Sequence, residues 1–372
     1  MVGRKAKYRT GNEELDGLIT QLIEAAGVRR DDDLVFEMVV SAIRMGREAA
    51  DRGDLKLVNS ALKELRYSFL VFEPYGHIPK VSIFGSARTR RDDPNYETAR
   101  AFGQAMAARD WMVITGAGPG IMEAGIEGAG VDQSFGVNIV LPFETEAAPV
   151  IAGDSKLINY RYFFTRKLTF MKESSGYALL PGGFGTMDEA FELLTLMQTG
   201  RSPVAPVVLL EEEGGTYWSS WQTFVEEELS QRQLINPLDL CLCRVCTDID
   251  EAVEEITGFY RVYHSSRYVG RRLVMRLKRE LPDALLDALN DDFADIITTG
   301  RIERVEPSKP EIEDGDAVDL PRIAFAFDKA SYARLRMLIN RLNEADRDLA
   351  PHEHHKSDDE FAADVAYPSD GS

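Results

Sequence analysis

The chain has 372 residues, of which 44% are hydrophobic, and its 43 Lys and Arg against 62 Asp and Glu give a formal net charge of -19. That supply of apolar residues can bury a sizeable core, which excludes wholesale disorder, and no apolar run reaches the ~20 residues of a membrane helix. The negative field repels phosphate backbones and disfavours DNA or RNA as partners, although local donors in a pocket still admit a small phosphorylated ligand.

Residues 1–9 are basic but precede no apolar stretch with a cleavage site, so a signal peptide is not expected. The three cysteines, Cys241, Cys243 and Cys246, are odd in number, which points to a reducing cytoplasm. No second Cys or His cluster stands near them. The stretch Leu240-Cys241-Leu242-Cys243-Arg244-Val245 therefore reads as a buried strand, with thiols acting as small hydrophobes rather than metal ligands.

The first 76 residues read as a helical extension. Asn12 is placed to cap a helix to about residue 26, and helices follow over 34–49 and 55–72. Glu73-Pro74-Tyr75-Gly76 breaks the pattern. From there to residue 262, apolar strands alternate with helices. Strands are expected at 81–84, 111–115, 135–141, 177–180 and 204–210, and in the cysteine stretch. Helices are expected at 96–109, 121–129, 162–173, 187–198, 218–229 and 249–260. Such alternation predicts an α/β, Rossmann-like, doubly wound parallel sheet covered on both faces. Residues 263–345 read as a small α+β appendage, with strands at 273–277, 301–305 and 323–327 and helices at 282–293 and 332–343. The acidic, proline-bearing stretch 307–319 reads as a linker. Residues 346–372 form an acidic tail expected to be disordered, and its His352, His354 and His355 read as solvated.

Three glycine-bearing turns follow three of these strands: Gly85-Ser86, Gly116 through Gly118 to Gly120, and Gly182 to Thr186. In a parallel sheet such turns lie at the carboxyl edge, where ligands bind. Each opens a helix whose free N–H groups suit a phosphate. Gly120 is followed by Ile121-Met122 rather than Lys-Ser or Lys-Thr, which argues against a P-loop. The spaced glycines follow the second strand rather than the first, so nicotinamide chemistry is a poor fit.

The third turn is Leu180-Pro181-Gly182-Gly183-Phe184-Gly185-Thr186-Met187-Asp188-Glu189. Its glycines and Thr186 can cradle phosphate, and Glu189 projects from the first turn of the next helix. Asp188 and Glu189 are also simply favourable charges at a helix N-terminus. Upstream, Tyr162-Phe163-Phe164-Thr165-Arg166-Lys167 puts two cations at a helix start, the wrong end for the dipole, which favours a functional role, with a surface ion pair the alternative for one of them. At least one of the aromatics Tyr162, Phe163 and Phe164 reads as core, and another, such as Phe163, can instead offer a face to a flat base.

Phe164-Thr165-Arg166-Lys167 together with Pro-Gly-Gly-Phe-Gly-Thr-x-x-Glu resembles the LOG family of cytokinin-activating phosphoribohydrolases, often mislabelled as lysine decarboxylases. The likeness covers about half the chain, residues 79–260, and the helical extension resembles the larger bacterial branch. Where the compact plant form has Met and His before the Arg–Lys pair, this chain has Phe163 and Phe164. The resemblance implies hydrolysis of the N-glycosidic bond of nucleoside 5'-monophosphates to free base and ribose 5-phosphate. It makes Arg166 and Glu189 the catalytic pair. Lys167, Gly182, Gly183, Gly185, Thr186 and Thr195 would contact substrate, with Gly85, Ser86 and Gly118 at the phosphate end; apart from the resemblance, Asp188 and Phe163 read as further substrate contacts. It implies no metal, no cofactor, and at least a homodimer. The alternatives are a binding or carrier protein of the same fold for a nucleotide or phosphorylated cofactor, a pyridoxal-phosphate decarboxylase, for which no lysine stands out, and a single-stranded DNA handler, which the charge disfavours.

Overall fold

The computed structural model describes residues 6–48, 50–140 and 147–344. Contacts divide the chain into two compact units after Arg66. In the first unit, α1 (Glu13–Ala25) begins where the Asn12 side chain accepts the Leu15 N–H. α2 is Asp32–Arg47, and α3 is Arg52–Phe72, which runs past the division. Ile19 and Ile23 of α1 and Phe36 and Val40 of α2, each pair one helical turn apart, form a small core.

The second unit contains the alternating series. In chain order it is β1 (Lys80–Phe84), α4 (Pro94–Ala107), β2 (Met112–Thr115), α5 (Ile121–Ala129), β3 (Ser134–Ile139), β4 (Leu157–Tyr160), α6 (Phe163–Glu173), β5 (Gly176–Leu179), α7 (Phe184–Gln198), β6 (Val207–Leu210), α8 (Tyr217–Phe224), β7 (Arg244–Cys246) and α9 (Ile249–Gly258). The strands form one seven-stranded parallel sheet, ordered β4-β3-β2-β1-β5-β6-β7. Both faces are buried, and successive residues join different cores. Met112 and Ile114 pack with Tyr177 and Leu179 on one face, while Val113 packs with Val81, Ile83 and Ala178 on the other. This is the Rossmann-like α/β arrangement the alternation predicts. The chain runs outward from β1 to β4, then returns to the far side of β1 as β5. The strand order therefore reverses between β1 and β5, and a sheet of this kind opens a crevice there. All three glycine turns follow strands at or beside that point.

The series continues as β8 (Tyr263–Val269), β9 (Arg272–Leu277), α10 (Asp283–Asp292), β10 (Ile297–Arg304), α11 (Lys309–Asp314), β11 (Arg322–Phe327) and α12 (Tyr332–Glu344). Its four strands form a separate antiparallel sheet, β10-β11-β9-β8. α12 ties this sheet to the parallel one. Arg336 pairs with Glu255 of α9 and donates to the Ala205 carbonyl at 3.3 Å, and the Asn343 side chain accepts the Val262 N–H at 2.8 Å. Among the described residues no helix is long and apolar enough to cross a membrane.

Several expectations need correction. The cysteine stretch is not one buried strand. Residues Pro237–Leu242 form a 3-10 helix held by an Asn236–Asp239 capping box, and the strand is only Arg244–Cys246. Cys241 is exposed, Cys243 half-buried and Cys246 buried. The stretch 307–319 is not a free linker either. α11 lies within it, and Glu311 and Asp316 are buried against Arg276 and Arg322. The helix expected to reach residue 229 leaves α geometry after Phe224 and continues as a π-helical stretch, Val225–Ser230. β4 and β8 were not anticipated. Their sequences, LINY and YHSSRYV, are interrupted by polar residues and form no continuous apolar run. Leu141, at the end of one expected strand, and the acidic tail lie outside the described residues.

Candidate active site

Backbone hydrogen bonds hold the three turns together at the switch point. The Ser86 N–H donates to the Pro181 carbonyl, and the Ser86 carbonyl accepts the Ile121 N–H, both at 3.1 Å. One residue of the first turn thus joins the third turn to the start of the helix after the second. Gly120 makes the junction possible. Its φ of +69° suits glycine, and a Cβ there would collide with the Ser86 carbonyl. The Ser86 hydroxyl accepts the Arg88 N–H at 3.0 Å.

α7 starts at this junction with Gly183 as its N-cap and no capping side chain. Its first N–H groups have no helical partner and carry the positive end of the helix dipole. Gly183 and Gly185 are exposed, with open space where side chains would stand. Thr186 is buried, and its side chain fills the position a Gly182 Cβ would take. The turn therefore presents bare backbone donors around one hydroxyl, a surface for an anion.

Glu189 lies one helical turn further on, only 7% exposed. Its Oε2 is buried without a hydrogen-bond partner among the described residues. Burial pushes its pKa up to about 7. Lys167 and Arg166 pull it down, and Glu192 and Asp188 add to the upward push. An orphaned buried carboxylate is costly, and such groups concentrate where chemistry is done.

Arg166 and Lys167 rise from α6, whose first turn carries no acidic residue. The two cations are used differently. Lys167 Nζ pairs with Asp188 at 2.7 Å and with Glu192. Burial lowers its pKa, but those carboxylates outweigh burial and leave it raised. Arg166 has no ion pair among the described residues. Its Nε donates to the Val137 carbonyl of β3 at 2.9 Å, and its guanidinium sits 5.4 Å from the Phe170 ring centroid. Burial pushes the guanidinium pKa down, opposed by Glu189 and Tyr160. A Cβ at Gly116 would meet the Arg166 guanidinium and the Met122 sulfur. The lysine charge is therefore taken up by its neighbours, while the arginine is anchored by one nitrogen, leaving the rest of its fork for a ligand.

The structure thus brings Gly85, Ser86, Gly118, Gly182, Gly183, Gly185 and Thr186 to one sheet edge, and Arg166, Lys167, Asp188 and Glu189 to its flank. Phe163 is half-exposed at the first position of α6, and Phe164 stacks on Tyr162 at 5.4 Å. Thr195 is not brought to the turn. It lies six residues beyond Glu189, about 9 Å along the helix, and lines a narrow apolar cleft with Phe191, Trp221 and Val225. Among the described residues no group of three or more His, Cys, Asp or Glu is placed to hold a metal.

Sequence reasoning missed Glu192 and Tyr217. Glu192 shares Lys167 with Asp188. The Tyr217 hydroxyl donates to the Gly182 carbonyl at 2.6 Å. A signal for Tyr217 existed. Gly214-Gly215-Thr216 is a fourth glycine-bearing turn after an apolar strand.

The sheet, its switch point and these turns define a Rossmann-like α/β class. Within that class the resemblance to the LOG family stands, because residues 118–256 match the family model described as possible lysine decarboxylase. A pyrimidine/purine nucleotide 5'-monophosphate nucleosidase of Escherichia coli (strain K12) is 25% identical over 232 residues, covering 58% of this chain and 50% of that protein. A cytokinin riboside 5'-monophosphate phosphoribohydrolase of Rhodococcoides fascians is 28% identical over 179 residues, covering 47% of this chain and 88% of that protein. Among solved structures, a molybdenum cofactor carrier protein from Chlamydomonas reinhardtii aligns with a TM-score of 0.35 and 21% identity, over 47% of this chain and 94% of that one. The chain spans about half the length of the Escherichia coli relatives it matches.

Proposed function

We propose that this protein hydrolyses the N-glycosidic bond of nucleoside 5'-monophosphates, releasing free base and ribose 5-phosphate. The observation that carries the reading is the buried, unpartnered Glu189 carboxylate, flanked by Arg166 and one helical turn from a bare glycine turn. The names of the curated relatives support the same reaction class.

The chemistry follows from the charges. The N–H groups of Gly183 and Gly185 and the Thr186 hydroxyl would take the 5'-phosphate. That contact is remote from the reacting bond, and its binding energy can position the sugar. As the C1'–N bond breaks, positive charge builds on the ribose ring, as in glycoside hydrolysis. The Glu189 carboxylate stabilises that charge and can accept a proton from the attacking water, whose oxygen bonds to C1'. The leaving nitrogen departs with the bonding electrons and takes up a proton from solvent, balanced by the one Glu189 later returns, so that water is split between C1' and the base. A pKa raised to about 7 suits a group that takes a proton near neutrality. Arg166 would grip an anionic or acceptor group of the substrate with its unused nitrogens, and Phe163 would offer a face to the base. A homodimer, with active sites near the interface, belongs to the same reading.

The test incubates purified protein with AMP, GMP, CMP, UMP, IMP and a cytokinin riboside 5'-monophosphate, and separates products by chromatography. Base and ribose 5-phosphate are expected in equal amounts from at least one of them. Tight nucleotide binding with no base released from any would sink the hydrolase and favour a binding protein.

A further inference from the structure

We infer that Tyr217 is a positioning residue for the phosphate turn, fixing the Gly182–Gly183 peptide so that its N–H points at the ligand; the inference rests on the nucleotide reading above. The Tyr217 hydroxyl donates to the Gly182 carbonyl at 2.6 Å. In a trans peptide the carbonyl of one residue and the N–H of the next point in opposite directions. Holding the Gly182 oxygen toward α8 therefore turns the Gly183 N–H to the other side of the turn. That N–H has no acceptor among the described residues, and open space surrounds Gly183.

A glycine pair needs such a clamp. Gly182 and Gly183 bring the least steric restriction of any residues, so the peptide between them is free to flip. One end of this stretch is already fixed, because the Pro181 carbonyl accepts the Ser86 N–H. The next carbonyl, that of Gly182, is fixed by Tyr217.

The phenol itself stands on a firm base. Glu211, 2% exposed at the end of β6, accepts the Tyr217 N–H at 2.8 Å and the Trp218 N–H at 3.2 Å. Those are the orphan donors at the start of α8, which has no side-chain cap of its own. Trp218 is fully buried, and its indole N–H donates to the Leu210 carbonyl at 3.2 Å. Three hydrogen bonds thus pin the first turn of α8 to the end of β6, and the phenol reaches from there to the turn. A merely structural tyrosine would need only its ring in the core. Tyr217 is half-buried, and it lines an open cleft of about 580 Å³ beside Pro181 and Met187. Its ring packs against the core and edge-on to Trp218, and its hydroxyl makes the hydrogen bond to the turn.

The test is Tyr217→Phe, which keeps the ring and removes the clamp. The readouts are affinity for ribose 5-phosphate by calorimetry, kcat and KM for AMP, inhibition by free adenine, and melting temperature. Loss of one organising hydrogen bond predicts about a tenfold weaker ribose 5-phosphate affinity and a matching rise in KM. Adenine inhibition and melting temperature should stay near wild type. Unchanged ribose 5-phosphate affinity in the variant, beside a wild type that binds and cleaves, would overturn the clamp and leave the hydrolase standing. A uniform loss of adenine binding, sugar-phosphate binding and melting temperature would also overturn it, since that marks general structural damage. A wild type that neither binds ribose 5-phosphate nor releases base would overturn both readings.

Discussion

Two buried glutamates in this chain have opposite surroundings. Glu189, at the edge of the parallel sheet, has an orphaned oxygen and a pKa pushed up to about 7 by burial. Glu311, in the appendage, is 1% exposed and fully engaged. One oxygen accepts from the Ser308 N–H and hydroxyl at 3.0 and 2.7 Å. The other meets the Arg322 guanidinium at 2.8 Å and that of Arg276 at 3.3 Å. Burial pushes its pKa up too, but Ser308, Arg322 and Arg276 outweigh burial and leave it below the ordinary value. Depth alone therefore does not set the charge of a buried acid. Hydrogen-bonding partners decide the direction, and Glu189, whose Oε2 has none among the described residues, keeps its raised pKa.

The comparison predicts opposite responses to pH and mutation. The largest stability effect belongs to the paired acid. Glu311→Gln leaves Arg322 without its carboxylate, and a broken buried pair costs about 3–5 kcal/mol. Denaturant unfolding should register that loss, with base release by the folded variant unchanged. Since Glu311 has a depressed pKa, its contribution is present above the unfolded carboxylate value and fades on acidification. A variant of wild-type stability would mean that the cluster contributes nothing.

Glu189 has the reverse sign and a smaller effect. Its pKa rises from 4.5 in the unfolded chain to about 7 in the fold, so the fold loses stability as pH climbs through that window. Glu189→Gln should relieve the cost, raising stability at alkaline pH by up to about 3 kcal/mol and changing little below the unfolded pKa. Melting curves on both sides of the window check it. A variant less stable than wild type at alkaline pH would show that the carboxylate has a partner after all.

How much was legible follows from the same contrast. The Gly182–Thr186 turn, Arg166 and Glu189 stand out in the sequence because their spacing is local: a strand end, a glycine turn and the first turn of a helix. The appendage cluster is invisible there. Glu311 and Asp316 lie in a stretch whose acids and prolines read as a linker, and their partners Arg276 and Arg322 come from two different strands. Glu192 and Tyr217 were missed for a related reason, since Lys167 lies on a different helix and the Gly182 carbonyl on a distant turn. Thr195 follows the motif closely in sequence, but helical geometry carries it to another cleft.

The most direct test of the central claim, that the unpartnered Glu189 carboxylate is the reacting group, is kcat/KM for base release across neutral pH, for wild type and Glu189→Gln. Wild-type activity is expected to rise about tenfold per pH unit on the acid side and level off near 7, where the carboxylate ionises. The variant should lose roughly a thousandfold or more and show no such inflection. A variant that keeps wild-type rates, or the same inflection, would contradict the claim.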